Sequence, residues 1–105
     1  MNKANEHIIN RIKKAVLSID ENGKLILFGS RARGDFNEQS DWDFLMLTSK
    51  SVEPVLKRRV IDKILEIELD ENICIQMLLR NNLDWEDRYS VTPIYRNIQQ
   101  EGILI

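Results

Sequence analysis

Two short apolar runs, separated by a polar segment, constrain the fold of this chain more than any other feature. Leu25–Phe28 form the first run, and the second run includes Asp41-Trp42-Asp43. Each run has the length and composition of a buried strand. Because side chains alternate along a strand, Asp41 and Asp43 project from one face, about 6.5 Å apart along the chain, and Trp42 projects from the other. Burying an unpaired carboxylate is costly, so this aspartate pair indicates an ion partner or a bound metal.

Gly29 and Ser30 form a glycine-serine turn directly after the first run. Glycine lets the backbone approach an anion closely, and backbone N–H groups at a helix start favour negative charge. Ser30 adds a hydroxyl donor, although serine is also a common helix N-cap. The aspartate pair, Asp41 and Asp43, can hold Mg²⁺ or Mn²⁺, which in turn binds phosphate oxygens. Together these residues predict a binding site for a nucleoside triphosphate such as ATP.

Arg31 and Arg33 follow the turn and have two possible roles. A guanidinium beside a triphosphate stabilises its negative charge through forked donors, which makes both arginines candidate nucleotide ligands. Alternatively, either arginine pairs with Asp35 or Glu38 in the polar segment, which we expect to be a loop.

The motif resembles the signature of the DNA polymerase β-like nucleotidyltransferase superfamily. It consists of Gly29-Ser30, the ten-residue spacer 31–40 and Asp41-x-Asp43. The small chain resembles the minimal nucleotidyltransferase (MNT) branch in particular. The likeness lies in the sequence GSRARG and in the chain end, residues 93–98 followed by Glu101-Gly102-Ile103. The resemblance covers nearly the whole chain. It implies the nucleotidyltransferase fold, with Asp41 and Asp43 as catalytic metal ligands.

The resemblance also implies an activity and a partner. Members of this branch transfer NMP, here AMP from ATP, in a reaction of the EC 2.7.7 type. They commonly pair with a small helical HEPN protein, a toxin RNase, and act as its antitoxin by modifying it. The resemblance therefore implies a protein acceptor, whereas a transferase directed at tRNA or antibiotics would need an added domain to grip its substrate.

The third carboxylate of the superfamily is missing. Most active members carry an acidic residue on the strand after the Asp-x-Asp strand, where it acts as a general base. The matching position here is Gln76, which cannot accept a proton at neutral pH and is a poor Mg²⁺ ligand. Three interpretations are open. The protein transfers slowly with two carboxylates, it borrows a base from its acceptor, or it only binds nucleotide and neutralises its partner by contact.

Composition limits the remaining classes of function. The 105 residues predict a single nucleotidyltransferase domain, 1–105. A formal net charge of −2 argues against general nucleic-acid binding. No apolar run approaches the roughly 20 residues that span a bilayer, and no signal peptide is visible, so we expect a cytoplasmic protein. The lone Cys74 lies in an apolar run and is predicted to be buried and reduced.

The periodicity predicts an α+β fold, a small mixed three-stranded sheet covered by about four helices. The predicted strands are 24–28, 41–48 and 73–79. The predicted helices are 5–20, one from Ser51 to about Leu69, a short turn at 85–89 and 93–101. Ser51 and Asp84 are the expected caps of the second and third helices. The residues expected to be buried on the last two long helices are Leu56, Val60, Ile61, Ile64, Leu65, Ile94 and Ile98.

Two features suggest contacts with other molecules. The apolar tail, residues 103–105, either tucks onto the domain or joins an interface, and a homo-oligomer is one possible result. The aromatic residues Trp85, Tyr89 and Tyr95 are predicted to be exposed and available for docking.

Overall fold

The computed structural model of the protein describes residues 3–105. Its helices are α1 (Lys3–Ile19), α2 (Ser30–Arg33), α3 (Pro54–Glu71), α4 (Asn82–Glu86) and α5 (Pro93–Glu101). Its strands are β1 (Lys24–Phe28), β2 (Trp42–Thr48), β3 (Ile75–Asn81) and β4 (Ile103–Leu104). The α+β class is confirmed, and β4 is a fourth strand that the sequence did not predict. Within this described range, no helix combines the length and hydropathy required to cross a membrane.

The strands form one mixed sheet in the order β3-β2-β1-β4. β1 pairs antiparallel with both β2 and β4, whereas β2 and β3 run parallel. In this register Asp43 of β2 lies opposite Phe28 of β1 and beside Gln76 of β3. Asp43 is therefore flanked by the end of β1, where the glycine-serine turn begins, and by the position predicted for the third carboxylate.

Helices α1 and α3 cover one face of the sheet and bury the larger apolar core. Trp42 and Phe44 project into this core from β2 and stack with ring centroids 6.1 Å apart. The α1 residues buried there recur at helical spacing: Ile8, Ile9, Ile12, Val16 and Ile19. Each fully buried side chain of this size contributes about 1.5–3 kcal/mol, so α1 is held mainly by tertiary packing.

The inward face of α3 is narrower than predicted. Ile61 and Leu65 are 59% and 48% exposed, because they lie beside an open groove of about 440 Å³ between α3 and β3. The buried positions follow a single stripe, Leu56, Val60, Ile64 and Ile67. The sequence pattern alone could not distinguish these buried residues from the exposed apolar residues Ile61 and Leu65 beside them.

Helices α4 and α5 cover the opposite face of the sheet, the face from which Asp43 projects. Trp85 of α4 is 1% exposed and packs against Tyr89 and Tyr95. The prediction that Trp85 belongs to an exposed docking surface is therefore wrong. Leu45 and Leu47 project from this face of β2 and must be buried, and the Trp85 indole buries them in part.

The caps predicted for the second and third helices, Ser51 and Asp84, are wrong. α3 begins at Pro54, and its N-cap is Glu53, with no side-chain cap, rather than Ser51. β3 lies two residues further along the chain than predicted, so Asn81 caps α4 in place of Asp84. The Asn81 side-chain oxygen accepts hydrogen bonds from the N–H groups of the second and third helical residues at 3.0 and 3.2 Å.

Residues near the element ends differ from two of the predictions and decide a third, the placement of the tail. Cys74 is exposed rather than buried, because it precedes β3. Ile94 is 37% exposed, whereas Ile98 is buried as predicted. The apolar tail tucks onto the domain through backbone pairing with β1, which leaves the Leu104 side chain 67% exposed.

Asp20 connects the end of α1 to the end of β2. It is 3% exposed, and its carboxylate accepts hydrogen bonds from Thr48 Oγ1 at 2.7 Å and from Ser49 N and Oγ at 2.8 and 2.9 Å. The N–H of Asn22 donates a further bond at 2.9 Å. Burial alone would raise the pKa of Asp20, but these hydrogen bonds outweigh it and lower the pKa to about 2.

Candidate active site

The glycine-serine turn brings the backbone against Asp43. Gly29 has a φ of 75° and a ψ of −159°, a region that is essentially restricted to glycine. A Cβ at this position would collide with Oδ2 of Asp43. The sharp turn at the end of β1 and the missing side chain therefore place this carboxylate directly beside the turn.

Asp43 lies on the α5 face of the sheet, as the alternation along β2 predicted. Asp43 is half-buried, and Asp41, which precedes the strand, is exposed. Burial raises the pKa of Asp43, the charge of Asp41 raises it further, and Arg33 lowers it. Within residues 3–105 neither carboxylate forms a hydrogen bond or an ion pair. Both remain available to a ligand.

Ser30 begins α2, and Gly29 occupies the N-cap position without a side-chain cap. The capping explanation for Ser30 is therefore wrong. In the described part of the chain its hydroxyl has no hydrogen-bond partner, while its carbonyl oxygen accepts bonds from Gly34 and Asp35 at 2.9 and 3.2 Å. The hydroxyl is free to donate to a phosphate.

Arg31 lies apart from the aspartate pair. Its guanidinium is 4.1 Å from the ring centroid of Trp42, which projects from the opposite face of β2, and 4.8 Å from that of Phe36. Arg31 Nη2 and Nε donate to the carbonyl oxygen of Ser40 at 3.0 and 3.1 Å. Longer bonds of 3.4 Å reach the carbonyls of Asn37 and Glu38. Arg31 pairs with neither expected carboxylate and instead holds the loop that leads to Asp41.

Arg33 lies beside the turn, between two carboxylates. It donates to Asp35 at 3.2 Å and, through Nη1, to both oxygens of Glu101 at 3.0 and 3.3 Å. Glu101 also accepts a hydrogen bond from Gly29 N–H at 3.2 Å. The structure thus brings together Gly29, Asp43, Arg33 and a residue that sequence reasoning had not placed in the site. The only signal for Glu101 was its place in the chain-end motif.

Gln76 occupies the position expected from the resemblance, beside Asp43 on the adjacent strand. Its side chain is exposed on the same face. Within residues 3–105 no three His, Cys, Asp or Glu side chains are arranged to enclose a metal. The two aspartates nevertheless fit Mg²⁺ or Mn²⁺, because such ions in nucleotide sites take one or two carboxylates and complete their shell with water and phosphate.

Comparisons with known proteins bear on the family and the fold of the chain. A protein-family model described as "Nucleotidyltransferase domain" matches residues 9–105. A relative from Methanocaldococcus jannaschii, named "Putative protein adenylyltransferase", is 44% identical over 62 residues. That match covers 57% of this chain and 59% of the relative's length. A crystal structure described as a toxin-antitoxin with AMP-PNP superposes with a TM-score of 0.64 and 13% identity, over 90% of this chain and 69% of that chain. This likeness supports the predicted fold.

Proposed function

Because the chain belongs to the nucleotidyltransferase domain family, we propose that it transfers AMP from ATP to a hydroxyl of a protein acceptor. The observation that carries this proposal is the unpaired Asp43 carboxylate packed against Gly29 at the end of β1. A half-buried acid without an ion pair is costly unless a cation binds it. The relative named for protein adenylylation supports AMP and a protein acceptor.

Each site residue has a role in this proposal. Asp41 and Asp43 would hold Mg²⁺ or Mn²⁺, which neutralises phosphate charge when bound. The Ser30 hydroxyl, the Gly29 N–H and the Arg33 guanidinium bind the phosphates. The acceptor oxygen forms a bond to the α-phosphorus as the bond from that phosphorus to pyrophosphate breaks, and the acceptor proton passes to solvent or to a base on the acceptor. Positioning supplies most of the rate gain.

The biological setting belongs to the proposal as well. We propose that the acceptor is a helical HEPN-type toxin, that this chain is its antitoxin, and that the pair is cytoplasmic. The fold shared with a structure described as a toxin-antitoxin with AMP-PNP supports this setting. The activity and partner of the whole protein remain proposals, since the match spans 59% of the relative's length.

A second candidate function is neutralisation by contact, with nucleotide bound but not turned over. The observation that favours it is Gln76, whose amide stands beside Asp43 where a general base would be expected. A Gln76→Asp variant distinguishes the two candidates. If the chain is a weakened transferase, the variant increases the transfer rate by about 10²-fold or more, the usual contribution of a general base.

The direct test incubates the protein with a helical partner, Mg²⁺ and ATP labelled at the α-phosphate. We expect label on the partner, loss of label with Asp43→Asn, and unchanged labelling with Asp62→Asn. Asp62 is an exposed α3 residue, so its replacement makes the same chemical change away from the site. Tight nucleotide binding without label transfer would favour neutralisation by contact.

A further inference from the structure

Glu101, the last residue of α5, holds two groups that the proposed reaction assigns to phosphate. Its Oε1 accepts a hydrogen bond from Gly29 N–H at 3.2 Å, and its carboxylate accepts bonds from Arg33 at 3.0 and 3.3 Å. The Glu101 side chain is only 21% exposed. One carboxylate therefore binds an amide and a guanidinium together, which is the hydrogen bonding that a phosphate oxygen requires.

We propose that Glu101 occupies the phosphate site of the nucleotide-free protein and is displaced when a triphosphate binds. This inference rests on the proposed function of the site. The Gly29 N–H has a single proton, which cannot be donated fully to a carboxylate and a phosphate at once. The two anions would also repel each other at this distance. Binding therefore exchanges one acceptor for the other.

The exchange should make Glu101 a net competitor of nucleotide. If its main effect were to orient Arg33, its removal would weaken binding. Arg33, however, also donates to Asp35 at 3.2 Å, and this contact does not depend on Glu101. Removing the Glu101 charge therefore mainly removes an anion that has to leave the site before phosphate can bind.

The structure favours rotation of the Glu101 side chain over movement of the helix. The chain is closely packed at the following residue, where a Cβ on Gly102 would approach the carbonyl oxygen of Ile98 to 2.5 Å and Ile26 Cγ2 to 2.9 Å. β4 then continues from this point in the sheet beside β1. The end of α5 is fixed by these contacts, whereas the glutamate side chain can turn toward solvent about its own bonds.

The test measures binding of Mg²⁺–ATP by isothermal titration to the full chain. Glu101→Gln keeps the size and one acceptor oxygen but removes the charge, and we expect it to bind ATP about three- to fivefold more tightly, the effect of releasing one partly exposed ion pair. Glu66→Gln on α3, an exposed residue on the opposite face, makes the same charge change, and we expect it to change affinity less than twofold. Thermal unfolding of both variants establishes that each is folded.

Three outcomes would overturn the proposal. Unchanged or weaker ATP binding by Glu101→Gln, with binding still lost in Asp43→Asn, refutes displacement and leaves the proposed function intact. Failure of every variant and of the wild type to bind ATP refutes both. In the wild type, the side-chain carboxyl carbon resonance of Glu101 should shift on saturation with Mg²⁺–ATP, and an unmoved resonance refutes displacement. Tighter binding without label transfer supports displacement while refuting transfer.

Discussion

The backbone of Gly29 and the carboxylate of Asp43 depend on each other. With φ at 75° and ψ at −159°, a side chain at position 29 would cost about 1–3 kcal/mol in backbone strain alone. The collision with Asp43 Oδ2 adds to this cost, because the carboxylate would have to move away from the turn. Gly34 also has a positive φ, of 90°, but a Cβ there meets no atom within 4 Å.

Comparing alanine at these two glycines separates strain from site geometry. We expect Gly29→Ala and Gly34→Ala each to lower the free energy of unfolding by about 1–3 kcal/mol, with Gly29→Ala the larger loss. Only Gly29→Ala should also reduce Mg²⁺–ATP affinity, by tenfold or more, because only it displaces the Asp43 carboxylate. Urea unfolding and isothermal titration measure the two effects. Equal ATP affinity in both variants would mean that the contact with Asp43 has no role in binding.

The two arginines of the motif should respond differently to substitution. Arg31→Ala removes a buried cation held by loop carbonyls and by Trp42, and we expect the free energy of unfolding to fall by about 2 kcal/mol or more. Arg33→Ala should change stability little, since the Arg33 side chain is itself 47% exposed, but weaken ATP binding. Unfolding and binding curves of both variants test this. A strong loss of ATP affinity in stable Arg31→Ala would instead place Arg31 in the nucleotide site.

Among the helices and strands, the sequence pattern predicted those that depend on neighbouring residues in the chain. β1, the turn and β2 could be read from apolar runs, glycine and alternation. β4 could not, because a two-residue strand depends on an edge of β1 that the sequence does not reveal. Glu101 was missed for the same reason, since its contact with Gly29 joins residues 72 positions apart. The prediction that Ile61 and Leu65 of α3 are buried was wrong because apolar composition does not reveal which side of a helix a neighbouring strand covers.

Asp20 provides a pH test of how α1 is joined to the sheet. Its folded pKa of about 2 lies below its ordinary value of 3.8, so its stabilisation is fully present above about pH 4 and is lost as the pH falls toward 2. The shift corresponds to about 2 kcal/mol. We expect the stability difference between wild type and Asp20→Asn to shrink over this window, measured by urea unfolding between pH 6 and pH 2.

Glu21→Gln, at an exposed neighbouring position, is the matched control for Asp20→Asn. It should have little effect at any pH in the window. If the stability difference between wild type and Asp20→Asn stays constant from pH 6 to pH 2, the hydrogen bonds do not stabilise the charged form of the Asp20 carboxylate.

At the scale of the whole molecule, the sheet assembles the site from three distant parts of the chain. β1 and the glycine-serine turn supply the backbone groups, β2 supplies Asp43, and α5 brings Glu101 across the same face. α4 supports α5 there through Trp85, whose ring centroid lies 5.0 Å from that of Tyr95. Trp85 and the half-buried Tyr95 thus help to hold α5, and with it Glu101, against this face of the sheet.

A crystal structure with Mn²⁺ and a nonhydrolysable ATP analogue tests most directly whether the aspartate pair and the glycine-serine turn form a cation-assisted triphosphate site. We predict an anomalous Mn²⁺ peak within about 2.0–2.3 Å of carboxylate oxygens of Asp41 and Asp43, with the phosphates against Gly29 and Ser30. A nucleotide bound elsewhere, or phosphates at the turn with no metal on either aspartate, would contradict it.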